Sequence, residues 1–290
     1  MSILVDESTR LIVQGITGRE GTFHTEQMIE YGTNVVGGVT PGKGGQMICG
    51  VPVFNTVREA MEETQANASV LFVPAAFTKS GLMEAIQADV PLVVTIAEHV
   101  PVADMLDVYH AAKYKGLRVI GPNSFGVISP GKSKVGFMAH RMFKPGYVAL
   151  MSRSATNCYE TVLMMTQAGI GLSTCIGVGG DMIPGSSFVE LLPLLQKDEE
   201  TKVIVLIGEI GGDEEEKAAA YIKANVKKPV IACIAGKNAP KGRSMGHAGA
   251  IVGADGTGSA QNKEAALRDA GVLIADTTDD IVRILKTMNL

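Results

Sequence analysis

The sequence predicts an α/β protein with two mostly parallel, doubly wound sheets, one in each half of the chain. Three observations carry this prediction. Short β-branched apolar runs recur along all 290 residues and end at Gly or Pro. Helical patterns of about 10 to 15 residues separate them, the spacing of βαβ crossovers. A segment at 121–146, holding Pro122, Pro130 and Pro145, has no helical period and parts the runs into two sets.

Taken in order, the first set lies at 11–14, 34–39, 68–74, 91–96 and 118–120. The first run, Leu-Ile-Val-Gln, halts at Gly15, and the last halts at Gly121-Pro122. The second set lies at 147–151, 172–178, 203–207, 230–234 and 272–274. Domains at 1–121 and 122–290 are expected, with no short-period repeat or low-complexity tract.

A hydrophobic content of 46% with 19% charge is enough for two ordinary cores. The net charge of −4 argues against nucleic acid or an anionic membrane as partner, since both select a basic surface. Cys49, Cys158, Cys175 and Cys233 are scattered, form no C-x-x-C pair and read as reduced core residues. No apolar stretch approaches the roughly 18 residues of a membrane span. Residues 1–7 lack the basic start of an export signal, and no transit peptide is evident, so a cytoplasmic protein is expected, with the mitochondrial matrix as the alternative for a eukaryotic one.

The run at 11–14 leads into Gly15-Ile-Thr-Gly-Arg-Glu-Gly21 and then a helix, which gathers backbone N–H groups where they bind phosphate. The dinucleotide fingerprint fails, because Thr17 and Glu20 occupy its second and third glycine positions. After the next run, Thr-Pro-Gly-Lys43 replaces the acid that would hold a ribose diol. Lys43 suggests a phosphate instead. Residues 37–43 imitate a P-loop, but Gly44 stands where a magnesium-binding hydroxyl belongs, so ATP binding there is rejected. The run ending Thr95-Ile-Ala-Glu98 would face the same crevice. Plain βα turns remain the alternative reading of these glycines.

In the second half, His247 lies in Gly242-Arg-Ser-Met-Gly-His-Ala-Gly-Ala250, a run whose small residues cannot pack a core around an imidazole. One ring nitrogen could attack a phosphoryl group if a carboxylate held the other. Glu209, after the run 203–207, is the candidate holder, with a solvated loop acid as its alternative. Phosphate on His247 would need helix N-termini nearby, and two follow 152–156 and 179–185. Ser154 lacks the nucleophile-elbow glycines of a serine hydrolase, and Cys158 is expected to face inward. His24, His99, His110 and His140 read as surface or satisfied core residues, and no metal-ligand spacing is present.

Together, the motifs at 15–24, 37–45, 51–57, 208–212 and 239–250 resemble the α subunits of the NDP-forming acid–CoA ligase family, the succinyl-CoA synthetase family. The resemblance covers essentially the whole chain. It implies a Rossmann-like CoA-binding domain followed by a flavodoxin-like ligase domain. It places CoA contacts on Thr17, Gly18, Arg19, Glu20, Lys43, Pro74, Ile96, Ala97, Glu98 and Asn123. His247 would be a phosphohistidine and Glu209 its partner. Ser154, Ala155, Thr156 and Tyr159 would contact the acid. ATP or GTP with Mg2+ would bind an ATP-grasp β subunit in an αβ or α2β2 assembly, which agrees with the failed P-loop. The implied reaction passes phosphate from nucleotide to His247 and then to the acid, and CoA displaces it to give a thioester.

The departures lie near the acid. The family pattern Ser-Arg-Ser-Gly-Thr-Leu-Thr-Tyr-Glu reads Ser-Arg-Ser-Ala-Thr-Asn-Cys-Tyr-Glu160 here, and Gly-Pro-Asn-Cys-Pro-Gly reads Gly-Pro-Asn-Ser-Phe-Gly126. Succinate is the expected acid, with malate, citrate or a short sulfo-acid left open by Ala155 and Asn157. Two other classes compete: a non-catalytic CoA-binding module, against which His247 and Glu209 speak, and an NAD oxidoreductase.

Overall fold

A computed structural model describes residues 3–240 and 242–288, which fall into two compact units. One holds Leu4–His140 with Ile183–Ser186, and the other holds Arg141–Met182 and the chain from Ser187 onward.

The first unit runs β1 (Leu11–Gln14), α1 (Arg19–Tyr31), β2 (Val35–Val39), β3 (Met47–Ile48), β4 (Val51–Phe54), α2 (Val57–Thr64) and β5 (Ala68–Leu71). It continues with α3 (Ala75–Gln87), β6 (Leu92–Thr95), α4 (Val102–Lys115), β7 (Arg118–Ile120) and the antiparallel hairpin β8 (Gly126–Ser129) and β9 (Ser133–Gly136). Its sheet has the order β3-β4-β2-β1-β5-β6-β7, parallel except for β3. The six parallel strands thus follow the Rossmann order, which reverses between β1 and β5. Strands β1, β5 and β6 are buried along their whole length, as helices on both faces require. β3 and β4 were not among the expected runs. Pro52 breaks the apolar signal, and only the alternating burial of Val51 and Val53 marks β4, which lies between β2 and the edge strand β3.

The second unit runs β10 (Pro145–Ser152), α5 (Ala155–Gln167), β11 (Leu172–Gly177), α6 (Phe188–Lys197), β12 (Val203–Glu209) and α7 (Glu214–Asn225). It ends with β13 (Val230–Ala235), α8 (Ala260–Asp269), β14 (Leu273–Ala275) and α9 (Thr278–Thr287). Its parallel strands lie in the order β14-β13-β12-β10-β11. That is the flavodoxin order, and it reverses between β10 and β12. All of β11 and β12 is buried. Each Leu, Ile or Val so enclosed stabilises the fold by about 1.5–3 kcal/mol.

Local chemistry sets the helix ends. Thr277 and Asp280 form a capping box at α9, and Gly32 and Gly116 stop α1 and α4 in the left-handed region. Cys158, Cys175 and Cys233 are buried thiols, while Cys49 is half-buried. No helix among the described residues is long and apolar enough to cross a membrane.

Candidate active site

In the first unit, the loops after β1, β2, β5 and β6 leave from one edge of the parallel sheet. Gly15 leaves β1 with φ +76°, and its N–H donates to the Val39 carbonyl at 2.8 Å. A Cβ at Gly21 would lie 2.1 Å from the Gly15 carbonyl oxygen, so only glycine lets α1 start this close to the turn. Gly18 caps α1 and Pro74 caps α3, and neither supplies a side-chain hydrogen bond. These are the helices that follow β1 and β5, the strands flanking the order reversal. Their first-turn N–H groups are unclaimed by a side-chain cap, although that of Phe77 donates to the Pro74 carbonyl at 2.9 Å, and the rest suit an anion.

The Thr17 hydroxyl donates to that of Thr40 at 3.2 Å, which joins the first two loops. Arg19 and Glu20 are exposed and pair with each other at 3.0 Å. Lys43 is exposed on the β2 loop, whose strand end carries Thr40 and no acid. Ile96 and Ala97 are half-buried and Glu98 is exposed. Asn123, at φ +52°, donates its backbone N–H to the Ala97 carbonyl at 2.7 Å. The structure therefore draws Asn123 to the 96–98 loop. His24, in α1, stacks on Phe72 with ring centroids 5.1 Å apart, and burial lowers its pKa.

In the second unit, Glu209 is the last residue of β12, in register with Ala235 of β13. It is not the loop acid that the sequence suggested as an alternative. The His247 loop follows β13. The Nδ1–H of His247 donates to Oε2 of Glu209 at 2.6 Å, with the Glu209 side chain 7% and the imidazole 25% exposed. An ionised carboxylate only accepts, so this bond keeps the proton on Nδ1 and leaves the lone pair on Nε2. The Glu209 hydrogen bond raises the His247 pKa above the usual histidine value, against burial and the nearby Arg153; the charges of Glu209 and Asp181 also raise it.

Backbone shape makes room for the ring. A Cβ at Gly180 would lie 2.4 Å from Nδ1 of His247. A Cβ at Gly211 would lie 1.9 Å from the Gly249 carbonyl oxygen, so the β12 loop and the histidine loop touch backbone to backbone. The loop is pinned where Gly211 donates to Gly258 at 2.7 Å and where the Ser244 hydroxyl donates to the His247 carbonyl at 2.7 Å. Lys241, within the same motif, lies outside the described residues.

Arg153 leaves β10 buried, with Nη2 3.2 Å from Oε1 of Glu209. Ser154 caps α5, its hydroxyl accepting from the Asn157 N–H at 3.3 Å. That hydroxyl thus accepts one bond and keeps its O–H to donate, while the amides of Ala155 and Thr156 are the ones without an intrahelical acceptor. The other expected N-terminus, of α6, is closed by its own box, in which the Ser187 N–H donates to Glu190 at 2.9 Å. Tyr159 meets Phe143 edge-on with ring centroids 6.2 Å apart. Sequence reasoning gave no role to Arg153, Gly180, Asp181, Glu215 or Lys263. Only Arg153 left a signal, as the one charge in Ser152-Arg-Ser154.

A Rossmann-ordered half with open helix starts and a flavodoxin-ordered half with a held histidine are the class that fold and site define, and the comparisons say what each half is. The CoA binding domain family matches residues 6–99, and the CoA-ligase family matches residues 151–283. The ADP-forming succinate–CoA ligase subunit alpha 1 of Archaeoglobus fulgidus is 50% identical over 283 residues, 98% of this chain and 97% of that protein. The corresponding alpha subunit of Staphylococcus epidermidis is 49% identical over 281 residues, 97% of this chain and 93% of that one. The chain belongs to the succinate–CoA ligase α-subunit family, and it is a CoA-binding ligase subunit. The same fold occurs in the ATP citrate lyase of Methanothrix soehngenii, solved with citrate and coenzyme A, at a TM-score of 0.88 and 23% identity. That match covers 98% of this chain and 51% of the lyase chain, so this chain spans about half of it.

Proposed function

We propose that this chain is the α subunit of an NDP-forming acid–CoA ligase in which His247 carries the phosphoryl group. The observation that supports this most directly is the 2.6 Å bond from Nδ1–H of His247 to Glu209. With that bond made, Nε2 is the nucleophile. It attacks the γ-phosphorus of the nucleotide, the P–O bond to the diphosphate breaks, and NDP leaves. The acid's carboxylate oxygen then takes the phosphoryl group from Nε2, restoring the lone pair and giving an acyl phosphate. The CoA thiol, losing its proton, adds to the acyl carbon and expels phosphate, leaving the thioester.

The Arg153 guanidinium lies 3.2 Å from the second oxygen of Glu209 as its counter-charge, and the first-turn amides of α5 are candidates to receive the carboxylate or phosphate. CoA fits the first unit through the open starts of α1 and α3, with Lys43 as a phosphate partner and Ile96–Glu98 and Asn123 lining the far side. Nucleotide and Mg2+ belong to an ATP-grasp β subunit, and the chain turns over only with that partner. Succinate is the acid supported by the names of the relatives. Ala155 and Asn157 in the first turn of α5 favour testing malate, citrate and short sulfo-acids beside it. The experiment is an acid screen of the reconstituted pair, reading CoA-dependent NDP release. Succinate dependence is expected, and release with none of these acids would refute the reading.

A further inference from the structure

We propose that Glu215 and Lys263 are positioning residues for His247, acting through Glu209 and Arg153. Glu215 is the second residue of α7, inside the acidic run 213–216 that looks like a solvated helix start. Its side chain nevertheless turns inward and is 0% exposed, as is that of Lys263 on α8. Oε1 of Glu215 accepts the backbone N–H of Glu209 at 3.1 Å and lies 3.6 Å from Nη1 of Arg153. Oε2 is held by the ammonium of Lys263, which also donates to the Gly212 carbonyl at 3.0 Å and to Glu216 at 3.0 Å. Gly208 opens the space, because a Cβ there would lie 2.6 Å from Oε1 of Glu215.

Charges therefore alternate inward from the helices to the site: Lys263, Glu215, Arg153, Glu209 and then the imidazole. A buried pair of this kind stabilises a fold no better than well-packed apolar residues would. What it does supply is a fixed backbone and a fixed counter-charge behind Glu209. The groups facing His247 are Glu209 on β12, Arg153 after β10 and Asp181 after β11. The groups facing Glu215 are Arg153, Lys263 and the Glu209 amide. Loss of the Glu215 charge leaves the two cations less balanced and favours the neutral imidazole. Loss of the Lys263 charge does the opposite.

The inference rests on His247 being the reactive group of the proposed function, but its test does not need turnover. The pKa of His247 is measured by NMR pH titration of the full chain labelled with 15N-histidine. Glu215→Gln should lower it by about half a pH unit, and Lys263→Gln should raise it by a similar amount. The double variant should return towards wild type, and Lys263→Arg should match wild type. Singles that both leave the pKa in place, or both move it in one direction as general loosening would, overturn the proposal. If Lys263→Gln does not fold, the near-isosteric Glu215→Gln decides by the sign of its shift. Phosphate on wild-type His247 is assayed in parallel with the β partner. Its absence would sink the functional reading while the paired shifts still stood or fell by themselves.

Discussion

Replacing Gly180 with alanine adds one methyl group directly beneath the reactive ring. The new Cβ would lie 2.4 to 2.5 Å from three atoms of the imidazole, whereas ordinary contact begins at 3.4 Å. The ring must retreat by about 1 Å, which would lengthen the 2.6 Å bond to Glu209 past hydrogen-bonding range. Because the clash is with the far end of a partly exposed side chain, swinging the ring outward relieves it. Gly180 does not have positive φ, so the backbone accepts alanine. Stability should fall by about 1 kcal/mol or less, while a displaced nucleophile should cost about 100-fold in rate. The assay is single-turnover phosphorylation of the subunit with its partner, beside thermal unfolding. A G180A protein that phosphorylates at the wild-type rate would refute the reasoning, as would one that loses activity only by unfolding.

Glu209→Gln removes the main cause of the raised His247 pKa. The imidazole must be neutral to attack, so the rate falls as pH drops through that pKa, and in the variant this acid limb should move to lower pH. The plateau should fall by about 100-fold or more, because an amide can also donate to Nδ1 and favour the wrong tautomer; a pH–rate profile checks both. Lys43→Met should weaken CoA binding about fivefold to tenfold and flatten its salt dependence, read by titration calorimetry at two ionic strengths. Ser154→Ala removes the cap on the Asn157 N–H and should cost about 1 kcal/mol of stability by denaturant unfolding. If the Ser154 hydroxyl instead serves the acid, KM for the acid rises with no loss of stability.

Much of the fold was written in the spacing of apolar runs, because parallel strands buried on both faces must be continuous and β-branched. Strand β4, one in from the edge strand β3, escaped this logic, since one face needs only Val51 and Val53 and tolerates Pro52. His247 was legible as a candidate because small residues around an imidazole cannot pack a core against it. Glu209 was legible as a partner, although strand pairing with Ala235 carries it into β12. Glu215 and Lys263 were not legible, because a charge on a helix looks solvated until the fold turns it inward. Gly180 was equally silent: its value lies in what a distant loop lays against it. Ser154 read as a ligand, and its second role was silent in the sequence: its hydroxyl also accepts the Asn157 N–H as the cap of α5.

The most direct test of the account is the site of phosphate on the working pair of subunits. Wild-type chain and β partner are incubated with γ-labelled nucleotide, and the label is mapped by peptide mass spectrometry under alkaline conditions. Acid-labile, base-stable phosphate on His247, discharged by acid and CoA and absent from His247→Asn, is the expected result. Acyl-CoA formed at the wild-type rate by that variant, or wild-type turnover with no phosphate on His247, would contradict it.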